Sequence, residues 1–223
     1  MKALLETILW TEFQPLRIFG LPLGRRMAVV RASDGRLVVF SPVRFSKEIQ
    51  MQLDALGDVC AFVVPSRLHD LFFDEYFPVY RDAVFFGSQA SIKDHPKWPL
   101  VPFEKSASLL ADFSIIPLKG MPRVQEHLFL HARSRTLFLA DAFFNLPQPS
   151  GLFAGMMLRL AGIGDRPRPS RLFRSLIKDR SAFRASIEQV LLHDFERIVP
   201  GHGEVVESQG RQVFRDAFHD YLT

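Results

Sequence analysis

Four short apolar runs in this chain hold ionisable residues of metal-binding type. FVVPSRLHD leads to His69 and Asp70, EHLFLH carries His127 and His131, TLFLAD leads to Asp141, and RIVPGH leads to His202. Imidazole nitrogen and carboxylate oxygen together suit zinc, and the same donors serve iron or manganese. A bound ion lowers the pKa of water and makes hydroxide available near neutral pH. Asp141 is the most informative of the set. A charge placed between TLFLA and AFF is expensive unless it is paired, hydrogen-bonded or metal-bound, and a helix cap or buried salt bridge would also satisfy it. His202 stands between Gly201 and Gly203, where backbone can approach closely; a tight turn with a hydrogen-bonded imidazole is the plainer reading. His69 divides between a site and a loop role. His127 and His131, four apart, project to one side of a strand as ligands or as ordinary hairpin residues. Asp70 or Asp141 could orient a water, and Arg67 could pair with an anionic substrate. Ser66 as a nucleophile lacks an identifiable base or oxyanion hole.

Such residues converge only if the surrounding elements bring strand ends to one edge. MAVVRASDGRLVVFSPV, 27 to 43, predicts a hairpin about Asp34-Gly35. Ser46 caps a predicted helix that Gly57 stops, and DVCAFVVP is a strand. A short helix ending near Pro78 and a strand in DAVFFGS follow, then an irregular stretch from 91 to 107. FSIIPLKG, EHLFLHA and SRTLFLAD are predicted strands, the last two a hairpin. Residues 146 to 169, rich in Pro and Gly, are expected to lie over or beside the site as a lid. Leu152, Phe153, Met156 and Met157 would give it an oily wall. Two helices with a break near Asp179, the strand FERIVP and an amphipathic helix RQVFRDAFHDYL close the chain. Strands and helices in this order predict sheet layers covered by helices, with the 27–43 hairpin in one sheet and the strands ending at Asp141 and Pro200 in the other.

Composition sets the bounds. The 223 residues are enough for one sizeable core, and one domain over 1–223 is expected. The net charge of +4 is too modest for a nucleic-acid surface without a continuous basic face, so none is expected. The lone Cys60 forms no internal disulfide, and MKALLETILW, broken by Glu6, does not have the pattern of a signal peptide; a cytoplasmic location is expected. No run reaches the length of a spanning helix. GLFAGMMLRLAGIG, 151 to 164, is the most membrane-like piece, as an interfacial or packing helix. The 22 phenylalanines permit a homo-oligomer. Phosphate-binding glycine loops and a GxSxG elbow are absent.

VVFSPV, VVPSRLHDLFF, HARSRTLFLADAFFN and IVPGHGEVV, in that order, resemble the metallo-β-lactamase-like superfamily, in a branch with a degenerate HxHxDH motif. The resemblance runs from about Met27 to Val206 and implies an α+β fold, the four-layer αββα sandwich, with a metal site at one edge. It matches Asp141 to the bridging aspartate and His202 to the last histidine ligand, and sets His69 or Asp70 in the main histidine motif. Where the family has HxHxDH, this chain has Pro65-Ser66-Arg67-Leu68-His69-Asp70, with one histidine. Only His127 or His131 could replace the histidine of the middle strands. The resemblance therefore implies one ion on His69, Asp141 and His202, or none. With an ion, hydroxide would attack an ester, thioester, lactone or related small substrate. Without one, the chain would be a catalytically silent scaffold for a ligand or protein partner.

Overall fold

Alternating apolar residues build the first sheet. β1 (Lys2–Leu5) and β2 (Leu9–Gln14) pair antiparallel, β3 (Arg17–Ile18) and β4 (Leu21–Pro22) form a small ribbon, and β5 (Arg25–Arg31) returns along β2. The turn into β6 (Leu37–Phe40) uses the expected Asp34-Gly35: Gly35 has φ +88° and the Asp34 carboxylate accepts from the Arg36 N–H at 2.9 Å. The Ser46 oxygen accepts from Ile49 N–H to start α1 (Lys47–Leu56). Helix α1 leads into β7 (Val59–Val63), which lies parallel to β6. β8 (Val84–Gly87), α2 (Gln89–Asp94) and β9 (Leu100–Pro102) complete a seven-stranded sheet of order β1-β2-β5-β6-β7-β8-β9. The second sheet joins β10 (Phe113–Pro117), β11 (His127–His131), β12 (Thr136–Asn145) and, after three helices, β13 (Arg197–Gly203), which pairs parallel to β12. Those helices are α3 (Leu152–Leu160), α4 (Arg171–Ser175) and α5 (Arg180–Leu191); α6 (Gly210–Ala217) and α7 (His219–Leu222) close the chain. This computed structural model describes residues 1–18, 20–106, 108–147, 151–164 and 166–223, so positions 148–150 and 165 of the expected lid lie outside the described residues.

The period of two explains the layers. From β5 and β6, Ala28, Val30, Val38 and Phe40 face Phe113, Phe129 and Phe138 of the second sheet. Phe40 is the hub: its ring stacks on Phe138 at 5.0 Å and meets Phe113 and Phe129 at 5.2 Å each. The alternate residues Val29, Leu37 and Val39 pack outward with Ile49 and Leu53 of α1. On the far side, Leu137 and Leu139 meet Phe183 and Ile187 of α5 and Phe214 of α6. Helix, sheet, sheet, helix is therefore the order of layers, and much of the phenylalanine excess fills these cores. Among the described residues, no helix is long and apolar enough to cross a membrane.

Three expectations change. Residues 2 to 14, not expected to be strand, supply β1 and β2. The stretch from 91 to 107, expected to be irregular, holds the end of α2 and the edge strand β9, where Pro102 can sit because an edge does not need its N–H. The strands expected to end at Asp141 and Pro200 continue to Asn145 and Gly203.

Candidate metal site

That continuation positions the site. β12 and β13 are in register through Leu139 and Pro200, and again at Phe144 and His202. Between these points β12 has four residues, 140 to 143, and β13 has only Gly201, so β12 bulges where Asp141 lies. The bulge rests on Glu126, whose buried carboxyl accepts from Ala140 N–H at 2.8 Å and Asp141 N–H at 3.1 Å.

His69, Asp141 and His202 converge, with one donor atom from each lying within 4.8 Å of the others. Both histidines are buried, at 1% and 2% exposure. Each is oriented through Nδ1. His202 Nδ1–H donates to the Gly24 carbonyl at 2.7 Å, and His69 Nδ1 meets the Ser41 hydroxyl at 2.8 Å. Ser41 has φ +52°, a left-handed conformation rare for serine, so backbone strain accompanies this contact. Gly201 gives the His69 ring its room: a β-carbon there would lie 2.7 Å from His69 Cε1 and Nε2.

The donor set fits one ion. His69 Nε2 and Asp141 Oδ2 are buried with no hydrogen-bond partner, an expensive condition in a folded interior. His202 Nε2 lies 3.5 Å from Asp141 Oδ1, too far for a good hydrogen bond. That distance is close to the edge of about 3.3 Å between ligand atoms in a tetrahedron with zinc bonds of about 2.0–2.1 Å. Nδ1 held by a fixed partner with Nε2 left free is the usual arrangement of a ligating imidazole. The cluster can thus coordinate a single divalent cation.

Charge follows suit. Burial, helped by the Arg25 cation, holds His69 well below its usual pKa, so its lone pair is available. Burial pushes the Asp141 carboxyl up, but His202, His69 and the Ser66 hydroxyl outweigh it and bring the group down to about 2. Glu126 is pushed up to about 8 by burial and by the Asp141 charge, so of the two carboxyls Asp141 bears the negative charge. Arg25 is itself buried; it donates to the Pro42 carbonyl and to the His69 carbonyl, each at 2.8 Å, tying the two loops together. Desolvation lowers its pKa to about 10, still leaving it a cation.

The other candidates lie elsewhere. His127 contacts Phe103 at 4.7 Å and the Gln125 carbonyl; His131 contacts the Ser134 hydroxyl at 2.8 Å and Phe113 at 4.9 Å. Neither joins the cluster among the described residues. Asp70, expected to orient water, instead pairs with His95 Nε2 at 2.7 Å, and His95 stacks on Trp98 at 3.7 Å. Arg67, expected to meet substrate, pairs with Asp94. Around the cluster, the roles of Arg25, Ser41, Gly24 and Glu126 were not foreseen. Of the four, Ser41 lies in VVFSPV and Glu126 in EHLFLH, runs marked for other reasons, whereas Gly24 and Arg25 lie outside every marked run. Of the described residues after Asn145, three reach the neighbourhood of the site. Leu146, Leu158 and Ile163 pack with Phe144 and Leu23, and Phe144 stacks on His202 at 5.1 Å. Leu152, Phe153 and Met156 are exposed.

No family sequence model matches the chain, and no curated protein sequence does. Solved structures do match. VMB-1 superposes with a TM-score of 0.66 at 15% identity, covering 100% of this chain and 97% of the other. The DIM-1 metallo-β-lactamase gives 0.66 at 11%, covering 98% and 96%. The metallo-β-lactamase FIM-1 from Pseudomonas aeruginosa, in a mono-zinc form, gives 0.61 at 14%, covering 100% and 96%. At such identities the likeness is one of fold. The chain has the metallo-β-lactamase fold with a reduced His/His/Asp cluster at its site.

Proposed function

We propose that this protein, as a single domain over 1–223, is a one-metal hydrolase of a small ester, thioester or lactone. Zinc, iron or manganese would be held by His69, Asp141 and His202. The observation that carries the reading is the set of buried donor atoms without partners, above all His69 Nε2, beside imidazoles already oriented from behind. A bound divalent ion supplies Lewis acidity and lowers the pKa of water. The chain's own residues do the rest. Ser41 and the Gly24 carbonyl orient the two rings, Glu126 holds the bulge that presents Asp141, and Asp141 gives the cluster its negative charge. Arg25 offers a fixed cation near the carboxylate, where it offsets charge that develops on a substrate.

A second reading has its own observation. The two imidazoles are nearly inaccessible, and Asp70 and Arg67 are engaged by His95 and Asp94. A buried ion without a substrate path, or a silent scaffold, fits those contacts. Metal stoichiometry of the folded protein, His202→Ala and Asp141→Ala tests the metal, and hydrolysis of aryl esters and lactones tests the reaction. Near one ion per chain, lost in both variants, together with hydrolysis that tracks metal content supports the enzyme. Metal without hydrolysis supports the buried ion. Metal-free wild type after supplementation supports the silent scaffold.

A further inference from the structure

We propose that α3 and the basic segment after it form a docking surface for an anionic lipid bilayer. The helix is anchored by one face, where Leu158 packs with Leu23, Phe144 and Ile163. Its other face carries Leu152, Phe153, Met156 and Leu160 at 96%, 73%, 51% and 58% exposure, and Leu172 on α4 adds 64%. Such a patch is costly in water and marks an interaction site. Its nine residues span about 13.5 Å, a length suited to lying in an interface.

The charge beside it selects the partner. Residues 151 to 180 contain seven Lys and Arg and two Asp, a net of +5, while the whole chain carries +4. The rest of the molecule is thus slightly acidic, and the basic excess of the chain lies in the oily helix and the segment that follows it, with Arg159, Arg171, Arg174 and Arg180 bordering the hollows beside it. Two adjoining hollows share Arg171. One, of about 610 Å³, is bordered by Leu152, Met156, Leu160 and Arg159. The other, of about 310 Å³, is bordered by Arg174, Arg180 and Tyr221, with Asp220 at its rim. An acyl chain suits the first and a phosphate the second. A second copy of the chain would set this basic face against itself across a two-fold axis, so self-association opposes its own charge. A bilayer with acidic headgroups offers apolar depth and negative charge together.

The test is sedimentation of the full chain with vesicles of phosphatidylcholine alone, and of phosphatidylcholine with phosphatidylglycerol at about three to one. Binding is expected to the mixed vesicles only, and to weaken several-fold between about 0.1 and 0.5 M salt. Phe153→Glu and Arg166→Glu, both at exposed positions, should each weaken it, the first at least tenfold; circular dichroism checks that they fold, and either alone suffices. Equal binding to both vesicle types, no binding to either, or binding unchanged by the variants would overturn the proposal. A dimer that Phe153→Glu dissociates would assign the face to a second copy and overturn it equally.

Discussion

Replacing Gly201 by alanine puts one methyl group where the His69 ring lies. The new carbon would sit 2.7 Å from His69 Cε1 and Nε2, against about 3.5–4.0 Å for relaxed contact. The ring has nowhere cheap to go, since it is buried and its Nδ1 is held by Ser41 at 2.8 Å. Overpacking of this kind costs about 1–3 kcal/mol. If the ring turns away, the buried contact with Ser41 breaks and adds about 1–3 kcal/mol. The sum, about 2–6 kcal/mol, corresponds to a fall of about 4–24 °C in melting temperature for a chain of this size. Urea unfolding followed by circular dichroism would measure it. A double-mutant cycle isolates the cause. In a His69→Ala background the nearest remaining neighbour is Ala140 Cα at 3.1 Å, so the same substitution should cost less than about 1 kcal/mol. Equal cost in both backgrounds would refute the claim that Gly201 exists to seat His69.

Other perturbations follow from single contacts. Ser41→Ala should weaken metal binding about 10–100-fold by releasing His69 Nδ1, read by competition with a chromophoric chelator. Phe40→Ala, at the aromatic hub between the sheets, should cost about 3–5 kcal/mol in urea unfolding. Burial raises the Cys60 thiol pKa, so alkylation at pH 8 should be slow in the native protein and fast once urea unfolds it. Burial also lowers the pKa of His127 and of His131. The unfolded chain therefore takes up protons that these rings refuse, and stability should decline as pH falls through about 6.5 and level off below their folded values. Replacing both histidines by glutamine should flatten that slope in urea titrations.

The sequence made the donor residues visible because each interrupts an apolar run, and three of the candidates do meet. Their supports were invisible for a physical reason. Ser41 Oγ reaches His69 across 28 positions and Gly24 O reaches His202 across 178, and local spacing has no mark for such a contact. Glu126 opens the run EHLFLH without a local mark of its role, because burial is decided by the layer above it. Asp141 was expected at a strand end; the bulge opposite Gly201 appears only when β13 is laid beside β12. His127 and His131 share one side of a strand, as their spacing requires, but that side faces phenylalanine rings.

The contacts of Gly24 and Arg26 with the far end of the chain have a kinetic consequence. Arg26 Nε and Nη2 both donate to the Gly203 carbonyl, at 3.0 and 2.7 Å, beside the bond from His202 to Gly24. His69 follows a strand of the first sheet, whereas Asp141 and His202 lie on strands of the second. Neither sheet alone holds a complete donor set, so an ion with high affinity for the native state has little to grip before the sheets dock. Closing a loop of that length comes late for a chain with so many non-local pairings. An ion bound there would act mainly on the rate at which the two sheets part. Its signature would be slower unfolding with little change in the rate of folding.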